Sequence, residues 1–421
     1  MFEILIFITS FYLLLISTIG FGILFHRLSF GLIKDFNDES TIYIGFYGLF
    51  LITFISLISS LLFPHNQIHN LALHIFGIVC FFSFKIKNKK NYLKIIILIS
   101  LVTFAALLIS KTHDDFSYYH LPFTKYLTEN KIIFGMGNIN HGYNLLSSLF
   151  FLNSTFYLPF IKYFSFHFGI IFFLIFFNFF IIREIFFAKN HDIIKFLYVL
   201  AFSFFNLSFN RIAEYGTDKP GQLLITILVI KLFQILCFNN EKDQIKKILF
   251  LLPLLAYSIS LKTYFLPYLI LSLAIINFNS KIIKNIKLIL ISKSFIFFLM
   301  TCVIYFSHHF ISTGCIISPI ASTCFENQFS WARKDMINLS TWVEQWSKAG
   351  AGPNFRIDNV KEYLQNYNWV SNWVEKYFMV KMLDQIAILI SSFIVIFLLF
   401  KKFKLNENNN FEFNTKVTFF Y

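Results

Sequence analysis

The sequence predicts an all-α protein that crosses a membrane several times, and three observations lead to this fold class. Of the 421 residues, 57% are hydrophobic and only 14% are charged, whereas about a quarter of the residues in soluble domains are charged. Apolar runs long enough to cross about 30 Å of hydrocarbon recur along the chain. Lys and Arg are concentrated in alternate connections between these runs, as in polytopic membrane proteins. The composition therefore excludes a soluble globular domain, a disordered chain, a coiled coil and a disulfide scaffold.

The apolar runs predict about eleven membrane spans, since each crossing needs roughly 20 residues in a helix. The predicted spans are 2–25, 42–63, 71–86, 95–110, 163–182, 195–210, 221–238, 248–261, 263–279, 288–311 and 383–400. The two spans within 248–279 have an alternative, two half-depth helices broken at Ser260-Leu261-Lys262. The run 145–160 is also apolar, but counting it as a span would reverse the charge pattern of every later loop. An interfacial or re-entrant helix on the outer side is expected there.

The positions of Lys and Arg predict the orientation, because basic residues favour the cytoplasmic side of a membrane. The basic connections contain Arg27, Lys34, Lys85, Lys87, Lys89, Lys90, Lys94, Arg183, Lys189, Lys195, Lys242, Lys246, Lys247, Lys281, Lys284, Lys287, Lys293, Lys401, Lys402 and Lys404. The opposite set is 64–70, 111–162, 211–220 and 312–381, which we expect to lie outside together with the N-terminus. The net charge of +14 is then a topology signal, and no nucleic-acid partner is expected.

The chain reads as one polytopic membrane domain, 1–421, with two long outer loops that we expect to be helical. The first outer loop is 111–162 and the second is 312–381; loops of this length usually carry function. The tail 401–421 resembles the start of a further span, as a truncated chain would show. Cys315 and Cys324 both lie in the second loop, where an oxidising compartment permits a disulfide. The sequence leaves their pairing open.

An acidic motif lies at the start of the first outer loop. It reads Lys111-Thr-His-Asp114-Asp115-Phe-Ser-Tyr-Tyr119-His120-Leu-Pro122. A carboxylate at the membrane surface is partly desolvated, which raises its pKa toward a range that is useful for a general base. Alternatively, Asp114 and Asp115 cap the helix that is predicted to begin at Phe116. The residues alone do not choose between the two roles.

Two further polar positions are candidates for a binding site. Asp218 lies in the short outer loop that runs from Arg211 to Pro220, where it either helps to build a site or belongs to a solvated turn. Lys262 lies between two apolar runs, and a cation at such a place is costly enough to suggest a function. It would bind a lipid phosphate as a point charge, or it would extend to the outer interface.

All tryptophans of the chain fall in the second outer loop. They are Trp331, Trp342, Trp346, Trp369 and Trp373. Two pairs are spaced four residues apart, which places each pair on one helix face, so a platform for sugar rings is one interpretation. The other is the aromatic belt at the membrane interface. No phosphate-binding loop, C-x-x-C or H-E-x-x-H motif occurs in the sequence, so nucleotide-driven transport and a dedicated zinc site lack their signatures.

Several of these elements resemble the GT-C superfamily of integral membrane glycosyltransferases. The run Asp115-x-x-x-Tyr119-His120-Leu121-Pro122 is similar to a motif of an uncharacterised bacterial family of GT-C-like membrane proteins, and the stretch Asn138-Ile-Asn140-His141-Gly142-Tyr143-Asn144 is similar to its next conserved segment. The elements Thr313-Gly314 to Pro319 and Trp369 to Trp373 are similar to its later motifs. Together the matches cover about residues 111–373.

The resemblance implies a function. A GT-C-like protein would transfer a sugar from a polyprenyl-phosphate donor to a glycan or lipid acceptor, on the extracytoplasmic face of the bacterial inner (plasma) membrane. Asp115 would be the base, with Asp114 beside it. The substrate-binding residues would be Tyr119, His120, His141, Asp218, Lys262 and Arg211. No residue is assigned as a metal ligand, although the resemblance leaves a divalent metal ion at the outer acids open.

Two alternatives to this function are retained. A polysaccharide polymerase or ligase also combines many spans with a long outer loop. A non-enzymatic transporter or flippase would instead place ionisable residues or broken helices near the middle of the membrane. Few charged residues lie within the predicted spans, and the acids cluster outside them. This pattern favours surface chemistry over transport.

Overall fold

A computed structural model describes residues 2–108, 112–188, 190–209, 212, 214–238, 241–270, 286–350 and 357–400. Every regular element in this part of the chain is a helix or a helical turn, and it contains no strand beyond isolated bridges. The all-α prediction is therefore confirmed for the described residues. In chain order the helices are α1 (Phe2–Phe30), α2 (Ile44–Ser59), α3 (Gln67–Ser83), α4 (Lys89–Thr103), α5 (Leu121–Glu129), α6 (Ser148–Thr155), α7 (Phe168–Phe186), α8 (Asp192–Leu207), α9 (Asp218–Phe238), α10 (Glu241–Leu261), α11 (Ile286–Ile291), α12 (Lys293–Thr313), α13 (Met336–Lys348), α14 (Val360–Leu364), α15 (Val370–Trp373) and α16 (Met379–Phe400).

Eight helical stretches among the described residues are long and apolar enough to cross a membrane. They are Phe2–Phe30, Glu39–Ser59, Lys89–Leu108, Tyr163–Phe186, Asp218–Phe238, Gln244–Leu261, Lys293–Thr313 and Val370–Ile394. The prediction of several apolar helices of membrane-spanning length is confirmed in this form, and it supports a polytopic membrane protein.

The predicted total of about eleven spans stays a prediction. The predicted spans 71–86 and 195–210 form α3 and α8, which have only 17 and 16 residues. The predicted span 263–279 begins as a 3₁₀ turn, Thr263–Leu269, and its second half lies outside the described residues. The tail 401–421 lies outside them as well.

Helices α1 and α2 pack with their backbones in direct contact. A Cβ atom added to Gly22 would lie 1.9 Å from the carbonyl oxygen of Ile44, and one added to Gly48 would lie 1.9 Å from that of Thr18. Small residues allow such close packing between helices in a membrane, where burial in lipid gives no hydrophobic driving force. Helix α7 lies in the core of the bundle, since residues 168–181 are all buried.

The connections gather at the two ends of the bundle as the charge pattern predicts. At one end, the basic end, Lys231 binds Glu184 at 2.8 Å and Lys247 binds Glu39 at 3.0 Å. Arg183 donates from Nη1 to the carbonyl of Phe36 at 2.8 Å there. The other end, the motif end, holds residues 60–70, 112–167, 214–220, 262–269 and 314–350, which are joined by hydrogen bonds between the segments.

Helix α6, within the apolar run 145–160, is short and completely buried. The hydroxyls of Ser148 and Ser260 lie 2.9 Å apart, and the Ser147 hydroxyl donates to the carbonyl of Leu261 at 2.6 Å. A helix with no exposed face agrees with the re-entrant alternative rather than with an interfacial helix. Ser147, the residue before α6, also gives a hydrogen bond to the backbone carbonyl of Leu261, the last residue of α10.

The contact between α1 and α2 can be tested by adding one methyl group. We expect Gly48→Ala to lower the stability of the purified protein in detergent by about 1–3 kcal/mol, because the two helices must separate. Thermal unfolding of the full chain measures the effect. Leu13→Ala is the control: it removes more atoms from α1, but Leu13 is 45% exposed on the helix surface. An unchanged melting temperature for Gly48→Ala would contradict the close packing.

Candidate functional site

The acidic motif forms a helical turn. The two carboxylates at its start, those of Asp114 and Asp115, remain accessible to solvent. A π-helical turn, Phe116–His120, follows Asp114 and Asp115 and leads directly into α5. The Asp115 carboxylate makes no cap hydrogen bond to the turn. Instead the Tyr119 hydroxyl donates to Asp115 Oδ2 at 3.3 Å. Asp114 is exposed, so the structure gives the two neighbouring acids different surroundings.

His113 is a second partner of Asp115. Its Nδ1 accepts a hydrogen bond from the backbone N–H of Asp115 at 3.1 Å and lies 3.7 Å from Asp115 Oδ2. Both side chains are 44% exposed. The backbone N–H of His113 donates to the carbonyl of Glu214 at 2.7 Å, which ties the acidic motif to the loop before α9. Asp115 is therefore held between Tyr119 and His113 and stays open to solvent.

Lys262 lies where α10 ends. The helix stops at Leu261, and Lys262 is extended, with φ −159° and ψ 130°, before the 3₁₀ turn begins at Thr263. Its Nζ lies 2.9 Å from Asp218 Oδ1 and donates to the Thr217 hydroxyl at 2.8 Å. Asp218 is the first residue of α9, where a carboxylate is favoured by the helix dipole. Lys262 is thus paired with a carboxylate at the motif end of the bundle.

The side chains of Tyr119 and His120 connect these two groups. Burial raises the pKa of the Tyr119 phenol well above its usual value, and the carboxylates of Asp115 and Asp218 raise it further. Burial lowers the pKa of His120 to about 3, and the positive charge of Lys262 contributes. Tyr119 bonds Asp115, and His120 shares a cavity wall with Thr217, which accepts the hydrogen bond from Lys262. The structure brings these five predicted site residues together.

The remaining predicted site residues are placed differently. The ring of His141 packs edge-on against Trp342, with centroids 4.7 Å apart, and burial lowers the pKa of His141, with a smaller effect of Arg333. His141 thus lies against the second outer loop, while its neighbour Gly142 packs on the Tyr119 ring. Arg211 lies outside the described residues.

Hydrogen bonds join the second outer loop to the first. Arg333 donates from Nη1 to the carbonyl of Gly137 at 3.0 Å, and Asn138 donates to the carbonyl of Trp331 at 2.9 Å. Cys315 and Cys324 form a disulfide, so the pairing that the sequence leaves open is present. The two loops form one layer over the motif end.

The tryptophans of this layer do not share one environment. Trp331 packs between Phe310 and Phe329, which is a structural position. The Trp369 and Trp373 rings are 6.2 Å apart, and the Lys348 ammonium lies 5.3 Å from the Trp369 centroid. The choice between a sugar platform and an interfacial belt therefore stays open for the second pair.

Sequence reasoning missed three residues that help to build the site. His113 lies two residues before Asp115, in the middle of the acidic motif, and Thr217 lies directly before Asp218; both are close to predicted residues in the chain. Asn153 lies in the buried helix α6, within an apolar run that gives no signal. Only the folded structure brings it beside His120, as part of one cavity wall.

The described residues do not fit a divalent metal. They contain no group of three or more His, Cys, Asp or Glu side chains arranged to hold an ion. The Asp218 carboxylate is already paired with the Lys262 ammonium, and Asp115 is bonded to Tyr119 on the other side.

A known protein family matches almost the whole length of the chain. A family described as "Domain of unknown function (DUF8201)" matches residues 4–419. The chain belongs to the DUF8201 family. No curated protein and no solved structure matches the chain. Membership in this family assigns no activity to the chain. Its function is therefore inferred from the geometry of the site.

The disulfide gives a testable thiol count. We expect the denatured chain, without reductant, to react with a thiol reagent at three cysteines, Cys80, Cys237 and Cys302, and at all five after reduction. The full chain is extracted from membranes, denatured and labelled, and mass spectrometry measures the number of labels. In the control variant Cys315→Ser, Cys324 gains a free thiol and the unreduced count rises by one. Five labels on the unreduced wild type would contradict the bond.

Proposed function

We propose that this chain is a membrane glycosyltransferase of GT-C type. It transfers a sugar from a polyprenyl-phosphate donor to a glycan or lipid acceptor on the extracytoplasmic face of the bacterial plasma membrane. The observation that supports this function is a chain of contacts from Asp115 through Tyr119 and His120 to the wall that contains Thr217, the hydrogen-bond partner of Lys262. A carboxylate that is open to solvent and a cation at the end of a helix break thus face one centre.

Asp115 suits the acceptor side of such a reaction. Tyr119 bonds Oδ2 and leaves Oδ1 for an acceptor hydroxyl. As the acceptor oxygen attacks the anomeric carbon, Asp115 takes the hydroxyl proton, and the bond between that carbon and the phosphate oxygen breaks. The electron pair leaves with the lipid phosphate. General-base catalysis of this kind contributes about 10²–10⁴-fold to the rate.

Lys262 suits the phosphate side. Its ammonium carries three protons; Asp218 and Thr217 accept two of them and fix the direction of the third. A phosphate that gains negative charge as the sugar departs is stabilised by a cation that is already positioned. The side chain is 20% exposed, so a ligand can reach it. Asp218 is then a positioning residue for Lys262.

The topology supports the side on which the reaction takes place. The site lies at the motif end, away from the end at which Lys231, Lys247 and Arg183 gather. Basic residues favour the cytoplasmic face, which supports an extracytoplasmic location for the motif end. A donor linked to a lipid needs no nucleotide, in agreement with the lack of a phosphate-binding loop in the sequence.

The base can be tested by Asp115→Asn. We expect transfer of labelled sugar from polyprenyl-phosphate donors, assayed in membranes that contain the full chain, to fall by about 10²-fold or more, because an amide cannot take the proton. The amount and melting temperature of the protein should stay at wild-type levels. Asp114→Asn is the matched control, since Asp114 is the exposed neighbour, and should retain most of the activity. Full activity of Asp115→Asn would remove Asp115 from this role.

The phosphate partner can be tested by Lys262→Met. We expect the KM for the lipid-linked donor to rise by about tenfold or more, because one charge-assisted hydrogen bond to a phosphate is worth more than about 1.4 kcal/mol. Lys262→Arg, which keeps the charge, should recover part of the loss. Lys125→Met serves as control, because Lys125 is an exposed lysine at the same end that lies near a carboxylate, Glu129, at 3.9 Å. Equal KM values for Lys262→Met and the control would contradict the assignment.

A further inference from the structure

A small cavity lies beside Thr217, the residue that accepts a hydrogen bond from Lys262. It offers about 10 Å³ of room for the centre of a water molecule, which is about what one ordered water needs. Its polar wall contains His120, Thr124, Asn153 and Thr217. Since the Thr217 hydroxyl also accepts the hydrogen bond from Lys262, the cavity shares a wall with the candidate site.

Two polar side chains in this wall are buried without a partner. His120 is only 4% exposed and Asn153 only 8%. By hydrogen-bond geometry, neither ring nitrogen of His120 nor the side-chain oxygen of Asn153 has a partner among the described residues. The backbone carbonyl of Tyr215 lies close enough to the His120 ring to favour its protonated form, but it can receive only one N–H, so at least one ring nitrogen stays without a partner. A buried polar atom that makes no hydrogen bond lowers the free energy of unfolding by about 1–3 kcal/mol. Two such side chains in the wall of one cavity therefore indicate that the cavity binds a small polar group.

The chemistry of the wall limits what that guest is. A neutral imidazole offers one donor and one acceptor, and a carboxamide offers both as well. An anion has no proton for the unprotonated ring nitrogen. A cation has no lone pair for the protonated one, and Lys262 is close enough to lower the pKa of His120 and to repel it. An uncharged O–H group can accept a hydrogen bond from the protonated ring nitrogen of His120 and donate its proton to the side-chain oxygen of Asn153.

We propose that this cavity is a hydroxyl-binding site, in which one uncharged O–H group is hydrogen-bonded between His120 and Asn153. Either an ordered water or a hydroxyl of the sugar on the lipid-linked donor supplies that group. The second source rests on the proposed function, whereas the first does not depend on it. In both cases Asn153 becomes a binding residue that lies outside the acidic motif.

A double-mutant cycle in thermal unfolding tests the site. The variants His120→Phe, Asn153→Leu and the double variant are purified as full chains in detergent and are melted without any lipid-linked sugar. After each single change, the bound O–H group keeps only one of its two partners, and the remaining polar side chain is bonded less well. The double change removes both polar side chains, so this part of the wall becomes apolar and the cavity no longer binds the O–H group. We therefore expect both single variants to melt below wild type, and the double variant to melt above the less stable single variant.

A matched cycle uses another residue of the same wall. The Thr124 hydroxyl already donates to the carbonyl of His120 at 2.7 Å, a bond that His120→Phe keeps. Thr124→Val and His120→Phe should therefore lower the melting temperature additively. Non-additivity confined to the Asn153 cycle identifies the shared guest, because His120 and Asn153 have no direct hydrogen bond to lose.

The same cycle separates the two sources. Non-additive shifts without lipid identify an ordered water, and this result stands whether or not the chain transfers sugars. Shifts that become non-additive only after addition of polyprenyl-phosphate-linked glucose, mannose or N-acetylglucosamine identify a sugar hydroxyl. Additive shifts under all of these conditions overturn the hydroxyl site.

An experimental density map of the wild-type chain gives an independent answer if a variant fails to fold. We expect density for one oxygen within hydrogen-bonding distance of both His120 and Asn153, either isolated or continuous with a bound sugar. An empty cavity in a map that shows ordered waters elsewhere in the protein overturns the site.

Discussion

The ion pair between Lys262 and Asp218 is the interaction on which the motif end depends. An unpaired ammonium at the end of a membrane helix is costly, and the carboxylate at 2.9 Å removes that cost. The pair joins the end of α10 to the beginning of α9, and the neighbouring loop then receives the backbone of His113. The pair thus lies next to the loop that binds the acidic motif, and it adds a charged contact to the packing between α9 and α10.

The helix break that places Lys262 is itself supported from within the bundle. A chain that leaves the helical path inside a membrane protein needs new partners for its backbone groups. Ser147 supplies one by donating to the carbonyl of Leu261, and Ser148 bonds Ser260 beside it. The buried helix α6 thus begins at the end of α10, and its residue Asn153 lines the cavity that also contains Thr217.

The sequence predicts those features that depend on local periodicity. Apolar runs and basic loops predict the all-helical membrane fold, and the clustering of Asp114, Asp115, Tyr119 and His120 in the chain marks the acidic motif, within which Tyr119 bonds Asp115. The meeting of Asp115 with Asp218 and Lys262 joins segments far apart in the chain, so only the resemblance to a known family suggested it. His141 turns toward Trp342 because the second loop covers it, a contact that no spacing reveals. Asn153 was missed because it lies in an apolar run and gains its importance from the cavity beside it.

The central claim is that one centre at the motif end binds a polyprenyl phosphate, with Lys262 on the phosphate. Photocrosslinking of the full chain in lipid vesicles, with a polyprenyl phosphate that carries a photoreactive group next to the phosphate, tests it most directly. The account predicts adducts on the peptides that contain Thr217–Asp218 and Lys262, and their loss when unlabelled polyprenyl phosphate competes. Adducts confined to peptides of the basic end, or adducts at Lys262 that no excess of polyprenyl phosphate removes, would contradict it.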